Sequence, residues 1–219
     1  MATHFEQELE NVTIKIFKMA DLAIEAVTKS VEALKSADMN LAKKVIEQDT
    51  ALDVLEKEID EECIRILVTR QPAAVFLRLV LVILKSNTDL ERIGDLSSNI
   101  AKECIRLSGK PAMKALVDIP RMASIAVEMI KDAFAAISEK DADKAREVIK
   151  RDDEIDELNL QVYRELFSYM IENPYVVSQA LGLIMVAKSL ERIGDHVTNI
   201  AERSIYYIEG KDIRHGSNE

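Results

Sequence analysis

The sequence has 219 residues, of which 48% are hydrophobic and 31% are charged, and its formal net charge is −10. That balance is typical of a folded protein and excludes an intrinsically disordered chain. The acidic charge argues against non-specific binding of nucleic acid, which needs clustered Lys and Arg. Six Gly and four Pro leave few positions for turns, and abundant Leu, Ala, Glu and Lys favour long helices. We therefore expect an all-α protein.

Breaks in the chain separate six predicted helices. Asp38 and Asp141 are typical N-caps for the second and fifth helices. Pro72 and Pro174 interrupt the chain before the third and sixth helices, and Pro111 follows the end of the third. The predicted helices cover residues 4–36, 39–70, 73–108, 112–138, 142–172 and 175–208. Because the connections are short, neighbouring helices should be antiparallel, and each half should be a three-helix bundle.

Two further signals concern the starts of the first and fourth helices. Thr3 and Glu6 form a capping box for the first helix. Pro120 lies inside the predicted fourth helix, so it either kinks that helix or marks a later start after Asp118.

The sequence gives no sign of export or of a membrane span. Residues 1–6 lack the basic and apolar stretches of a signal peptide. The longest apolar run, residues 73–84, contains Arg78 and is too short to cross a bilayer. We expect a cytoplasmic protein that reaches a membrane only through partners. Cys63 and Cys104 lack a CxxC spacing and predict buried thiols rather than a disulfide.

The chain repeats itself. Residues 90–101 (LERIGDLSSNIA) and 190–201 (LERIGDHVTNIA) are identical at nine of twelve positions, at an offset of 100. Two apolar residues and two aspartates within residues 45–53 of the second helix recur within residues 148–156 of the fifth, at an offset of 103. This pattern predicts a duplicated domain, with repeats at residues 1–110 and 111–219. The expected fold is two tandem, pseudo-symmetric three-helix bundles built from six long antiparallel helices.

Each repeat carries four acidic residues that we predict to be metal ligands. They are Asp49, Asp53, Glu91, Asp95, Asp152, Asp156, Glu191 and Asp195. The two acids of a pair are four residues apart, so they lie on one face of their helix. In the first repeat, Asp49 and Asp95 are equally far from the turn at Pro72, and so are Asp53 and Glu91. The second repeat is matched in the same way about its own turn. Each hairpin should therefore bring four carboxylates to one height.

Four converging carboxylates need a cation or must bind protons. Oxygen-only ligands favour hard ions such as Mg²⁺, Ca²⁺, Mn²⁺ or oxidised iron. Zinc is less favoured, because His and Cys are missing from both clusters apart from His196. Asn99 and Asn199 continue the acidic faces by one turn and are weaker ligand candidates. For one pair taken alone, a solvated helix face with salt bridges is the alternative.

The acids should lie at a surface seam, because the apolar stripe of the third helix is more than a quarter turn from Glu91 and Asp95. Gly94 and Gly194 lie inside the two acidic pairs, where glycine costs about 1 kcal/mol relative to Ala. A repeated glycine indicates either close approach of another backbone or a ligand, or tight helix packing alone. Arg92 and Arg192 either neutralise neighbouring acids or cover apolar surface.

At these residues the sequence resembles the PhoU family. The E(D)xxxD motif of that family is present as Glu91 to Asp95 and again as Glu191 to Asp195, inside the phrase ERIGD followed by NIA. The resemblance spans nearly the whole chain. It implies two three-helix bundles with multinuclear metal clusters on their surfaces, with iron favoured and Mg, Mn, Ca or Zn also compatible. The second repeat has His196 where the first has Leu96, and this difference leaves open whether both sites take the same ion.

The resemblance also implies a function in phosphate homeostasis. A PhoU-like protein is expected to be a negative regulator of the phosphate-starvation response that links a phosphate-specific ABC transporter to a sensor histidine kinase. A sodium-coupled phosphate carrier as the regulated system stays open. We expect a homodimer.

Two other functions remain open. Clustered carboxylates with two or more metal ions could activate water, as in a metal-dependent phosphohydrolase. Alternatively, the metal could be purely structural and relieve carboxylate repulsion. The sequence lacks a Gly-rich phosphate loop, a GxSxG motif and an HExxH motif, and this favours a protein that is not an enzyme. We predict no catalytic residue.

Overall fold

Six long helices run through the computed structural model, which describes residues 4–109, 116–211 and 213. The helices are α1 (His4–Ser36), α2 (Met39–Arg70), α3 (Ala74–Leu107), α4 (Asp118–Glu139), α5 (Ala142–Glu172) and α6 (Val177–Glu209). A short 3₁₀ turn, Pro174–Val176, precedes α6. The described residues contain no strand, so the all-α prediction is confirmed.

The predicted helix caps form as expected at two starts. The Asp38 carboxylate accepts hydrogen bonds from the backbone N–H groups of Asn40 and Leu41, at 2.9 and 3.0 Å. The Asp141 carboxylate does the same for Asp143 and Lys144, both at 3.0 Å. These bonds satisfy N–H groups that have no partner within the helix.

The predicted start of α4 at residue 112 is wrong for the residues that are described. Leu116 and Val117 are not helical, and α4 begins at Asp118. Pro120 then falls in the first turn of the helix, where a missing backbone N–H costs nothing. The later of the two predicted starts is therefore confirmed. The proposed roles of Thr3 and Pro111, and the boundary between residues 110 and 111, lie outside the described residues.

The helices group into two bundles of three. Helices α1, α2 and α3 pack on one another, and so do α4, α5 and α6. The two bundles are joined chiefly by contacts between α3 and α6, with a smaller contact between α1 and α4. Cys63 and Cys104 are both buried free thiols, as predicted, and burial raises the pKa of the Cys63 thiol to about 12.

Helices α3 and α6 cross the seam between the bundles in opposite directions. The Arg78 guanidinium, near the start of α3, donates to the carbonyl of Tyr207, near the end of α6, at 3.3 Å. At the other end, Arg106 of α3 donates to the carbonyl of Ser178 at 3.3 Å. This arrangement places the middle of α3, which carries Glu91 to Asp95, beside the middle of α6. In the described ranges, no helix is both long and apolar enough to cross a membrane.

Candidate metal centre

The hairpin of α2 and α3 brings the acids of the first half together at one seam. Burial raises the pKa of the Asp49 carboxyl, and repulsion from the charges of Asp95 and Asp53 raises it further. Burial also raises the pKa of Glu91, with repulsion from Asp95 as the next cause. These effects require the carboxylates of the two helices to be neighbours, as the matched heights predict. We call Asp49, Asp53, Glu91 and Asp95 the first acidic seam.

The hairpin of α5 and α6 forms an equivalent cluster, the second acidic seam, made of Asp152, Asp156, Glu191 and Asp195. Burial, followed by repulsion from Asp195 and Asp156, raises the pKa of Asp152 to about 6. Burial likewise raises the pKa values of Asp156 and Asp195, and the charge of Glu191 is the next cause for both. The second seam therefore holds several carboxylates that repel one another in a partly buried setting.

Gly94 and Gly194 let the aspartates of the neighbouring helix approach closely. A Cβ atom added at Gly94 would lie 2.5 Å from Cδ1 of Leu52 and 3.0 Å from Oδ1 of Asp49. At Gly194 it would meet Oδ1 of Asp152 and lie 3.2 Å from Cδ1 of Ile155. The space at each glycine is therefore taken by side chains of the partner helix in the hairpin. This agrees with the tight-packing interpretation, and it positions one carboxylate of each seam.

Two carboxylate oxygens of the second seam are buried without a hydrogen-bond partner. They are Oδ1 of Asp152 and Oε2 of Glu191. The other oxygen of Glu191 accepts a hydrogen bond from the Lys188 ammonium at 2.6 Å. A buried polar atom without a partner costs about 1–3 kcal/mol, and more when it is charged. Carboxylate oxygens of this kind are the donors that hard cations take, although the Thr198 hydroxyl beside Asp152 can also donate to its carboxylate.

The first seam is partly neutralised by Arg92. Its guanidinium lies 3.2 Å from Oδ2 of Asp95 and 3.3 Å from Oε2 of Glu91. Of the two interpretations offered for Arg92, the structure supports neutralisation. Because the guanidinium is half exposed, the two pairs are weak, and a cation could compete with them.

Within the described part of the chain, no group of three or more His, Cys, Asp and Glu side chains is already arranged to hold one metal ion. The carboxylates of each seam are near enough to repel one another but do not converge on one point. To share a cation they would have to turn about their side-chain bonds. Asp53 and Asp156 are exposed and have room to turn in this way.

The weaker candidates lie at the edge of the seams. Asn99 is exposed, and its amide oxygen accepts a hydrogen bond from the Lys102 ammonium at 3.3 Å. Asn199 is half-buried on α6. Asn99 therefore makes an ordinary side-chain hydrogen bond at the edge of the first seam.

Sequence reasoning missed two hydroxyl groups. Ser98 lies beside Asp49 and Thr198 lies beside Asp152, and each acts to lower the pKa of its aspartate. A signal was present, because both repeats carry a hydroxyl residue immediately before Asn99 or its equivalent.

His196 belongs to a different cluster, which links the two bundles. Its Nδ1 lies 2.9 Å from Oδ1 of Asp89, a buried residue of α3. The Arg203 guanidinium donates to the other oxygen of Asp89 and also to the carbonyl of Lys85 at 3.0 Å. Burial lowers the pKa of the His196 imidazole, and the nearby charge of Arg192 lowers it further. The imidazole therefore bridges α3 and α6 beside the second seam.

Comparison with known proteins identifies the family. The PhoU domain model matches residues 16–104 and 119–204. A curated relative from Pseudomonas aeruginosa, named phosphate-specific transport system accessory protein PhoU homolog, is 41% identical over 98% of this chain and 89% of that protein. The accessory protein PhoU of Escherichia coli is 34% identical over 96% of this chain and 88% of its own length.

Solved structures agree with the sequence comparison. The crystal structure of PhoU from Pseudomonas aeruginosa matches with a TM-score of 0.91 and 41% identity, over 95% of this chain and all of that one. The phosphate transport system regulatory protein PhoU from Streptococcus pneumoniae matches with a TM-score of 0.87 and 27% identity, over 95% and 99% of the two chains. The duplicated helical repeat, its paired acidic seams and these matches over nearly the whole length show that the chain belongs to the PhoU family.

Proposed function

We propose that this chain is a cytoplasmic accessory protein of a phosphate-specific transport system. In this role it regulates phosphate uptake and acts as a negative regulator of the phosphate-starvation response. The observation that carries the proposal is the match to proteins named as accessory proteins of that system, over nearly the whole chain. Regulation would proceed by binding the phosphate transporter, a sensor histidine kinase or both. The protein would act as a homodimer and would reach the membrane through these partners.

The two acidic seams are the proposed metal sites of this regulator. Asp152 and Glu191 would supply their unpartnered oxygens in the second seam, and Asp49 would supply its carboxylate in the first. A multinuclear cluster of a hard metal, with iron favoured and Mg, Mn, Ca or Zn as alternatives, would neutralise the repelling carboxylates. The metal would then fix the surface that each hairpin presents to a partner.

Elemental mass spectrometry tests the metal sites. Wild type is compared with a seam variant in which Asp49, Asp95, Asp152 and Asp195 are all changed to Asn. A control variant carries the same charge change at four exposed acids outside the seams, with Glu10, Glu47 and Glu61 changed to Gln and Asp21 changed to Asn. We expect stoichiometric metal in wild type and control, and none in the seam variant. Equal metal content in all three proteins would contradict the proposal.

Partner binding tests the regulatory role. The purified ATPase subunit of the transporter and the cytoplasmic part of the histidine kinase are each titrated with the metal-loaded protein and with the seam variant. We expect wild type to bind at least one of them and the seam variant to bind more weakly. If neither binds wild type, the regulatory proposal fails. Metal-dependent turnover of a phosphoester that Asp95→Asn abolishes would instead identify a phosphohydrolase.

A further inference from the structure

One face of α5 carries an apolar stripe that the acidic seams do not explain. Four side chains that are 48–71% exposed recur at spacings of three and four residues: Leu160, Tyr163, Phe167 and Ile171. Such spacing places them on one side of the helix. We call this set the α5 stripe. Tyr175, which is 96% exposed, extends it beyond the end of the helix, and Leu181 and Met185 of α6 are also exposed.

The continuous row on this helix face is present in α5 and not in α2. The equivalent positions of α2, 103 residues earlier, are Lys57, Asp60, Ile64 and Val68. Two of these four are charged, so the row on α2 is interrupted, although Val75, Phe76 and Leu77 at the start of α3 are also exposed. Single exposed apolar residues are normal, whereas a continuous exposed row that includes Tyr and Phe is typical of a protein interface.

The charge along the stripe is acidic. From Glu157 to its end at Glu172, α5 carries three acidic residues and one basic residue, Arg164. The neighbouring face of α5 presents Glu157, Gln161, Arg164, Glu165 and Ser168. At its upstream end the stripe continues the face of Asp152 and Asp156, again at a spacing of four residues. An occupant must therefore be apolar on one side and cationic along its edge.

From this complementarity we propose that the α5 stripe docks an amphipathic helix of a partner protein, with Lys or Arg flanking the apolar face of that helix. The identity of the partner rests on the proposed function, as a cytoplasmic segment of the transporter or of the histidine kinase. Apolar side chains of the partner would lie along Tyr163, Phe167 and Ile171, in the manner of a helix in a groove. Its basic residues would meet the acidic rim, which selects the partner and speeds its approach.

The same charges argue against two other occupants. An anionic membrane surface would be repelled by the acidic rim, because such surfaces attract clustered Lys and Arg. A second copy of the chain that met this face across a two-fold axis would bring two acidic rims together.

The test compares two double variants that match in exposure. The stripe variant is Phe167→Glu with Ile171→Glu, at side chains that are 56% and 71% exposed. The control is Ile64→Glu with Val68→Glu, at the equivalent positions of α2, which are 54% and 71% exposed. All four residues are on the surface, so both variants should fold, and circular dichroism checks this.

The first probe is a fluorescein-labelled peptide of Leu and Lys that forms an amphipathic helix, and its mate has Glu in place of each Lys. By fluorescence anisotropy we expect wild type to bind the Lys peptide at least about tenfold more tightly than the Glu peptide. The stripe variant should lose at least about tenfold in affinity for the Lys peptide, and the control should stay within about twofold of wild type. Equal losses in both variants, or no loss in the stripe variant, would overturn the proposal.

The second probe is the partner itself, the purified transporter ATPase or the cytoplasmic part of the kinase, again with both variants. Selective loss of binding in the stripe variant supports the proposal, and unchanged binding overturns it. If neither protein binds wild type while the peptide result holds, the proposed function fails and the docking surface stands. The proposal is overturned if the stripe variant loses binding to phosphatidylglycerol vesicles but not to the peptide. It is also overturned if the stripe variant separates a wild-type dimer in sedimentation velocity.

Discussion

The two acidic seams share their ligand candidates but differ in their surroundings. In the first seam, Arg92 lies against both Glu91 and Asp95 and offsets part of their charge. In the second, Lys188 pairs with one oxygen of Glu191, but the other oxygen is buried without a hydrogen-bond partner, and burial and repulsion raise the pKa of Asp152 to about 6. Duplication thus preserved the acids while their neighbours diverged. A cation relieves more repulsion in the second seam, so we expect that seam to bind metal more tightly.

The neighbour that differs most is the cluster of Asp89, His196 and Arg203, which exists on one side of the α3–α6 crossing only. The positions related to these by an offset of 100 are Ser189, Leu96 and Glu103. The buried polar link therefore lies next to the second seam and has no copy next to the first. Equivalent substitutions on the two sides should therefore have unequal effects.

The largest effect should come from Asp89→Ala. The change removes the buried carboxylate that accepts from the Arg203 guanidinium and contacts His196. We expect a loss of about 3 kcal/mol in the free energy of unfolding, measured by urea denaturation. The matched control is Ser189→Ala, which removes only a hydroxyl bonded within its own helix and should cost less than about 1 kcal/mol. Similar losses at both positions would show that the link is not specific to one side.

The two glycines should respond differently to Ala. In Gly94→Ala the new Cβ meets the buried side chain of Leu52, so overpacking should outweigh the gain in helix propensity and cost about 1–2 kcal/mol. In Gly194→Ala it meets the carboxylate of Asp152 and, at 3.2 Å, Cδ1 of the buried Ile155. The closer group is the end of a polar side chain that is only partly buried, so the cost should be smaller than at Gly94 and stability should stay within about 1 kcal/mol of wild type.

The displaced carboxylate in Gly194→Ala should lower metal affinity at the second seam by at least about tenfold. Urea denaturation and metal titration of both variants check these expectations. Equal stability losses with unchanged metal affinity would show that both glycines serve packing alone.

The smallest effect is a dependence on pH in metal-free protein. The pKa of Asp152 is higher in the fold than its ordinary value, so the folded state binds the proton more tightly than the unfolded state does. Stability from this residue is present at low pH and is lost as pH rises from 3.8 to about 6. After allowance for solvent screening, the loss should be about 1 kcal/mol.

Asp152→Asn should remove this dependence and raise the free energy of unfolding at neutral pH in the presence of a chelator. Asp49→Asn, in the first seam, should have a smaller effect on both the pH dependence and the free energy of unfolding. Urea denaturation of the three proteins between pH 4 and about 7 makes the comparison. If the wild-type protein became more stable as the pH rises through this range while Asp152→Asn did not, the raised pKa of Asp152 would be contradicted.

Much of the fold was predictable because its signals are local. Capping aspartates and prolines mark helix ends to within a few residues. The equal distances of the acids from each predicted turn indicated which carboxylates lie at the same height on paired helices. The start of α4 was predicted too early, because the sequence allowed Pro120 either inside the helix or in its first turn. The bridge from His196 to Asp89 joins residues 107 positions apart, across two separate bundles. No spacing within either helix encodes such a contact, because it depends on how the finished bundles dock.

The α3–α6 seam also bears on how the protein is made. Helix α6 follows all the others in the chain, yet it supplies Tyr207 to Arg78 and Arg203 to Asp89 on a helix completed roughly 100 residues earlier. At ordinary rates of synthesis, α3 waits about 5–20 s for this partner. During that interval the face of α3 that α6 later covers is exposed on the nascent first bundle. It includes the carboxylate of Asp89, which is buried in the finished protein. That face is a natural target for chaperones during translation and for proteases when synthesis stops early.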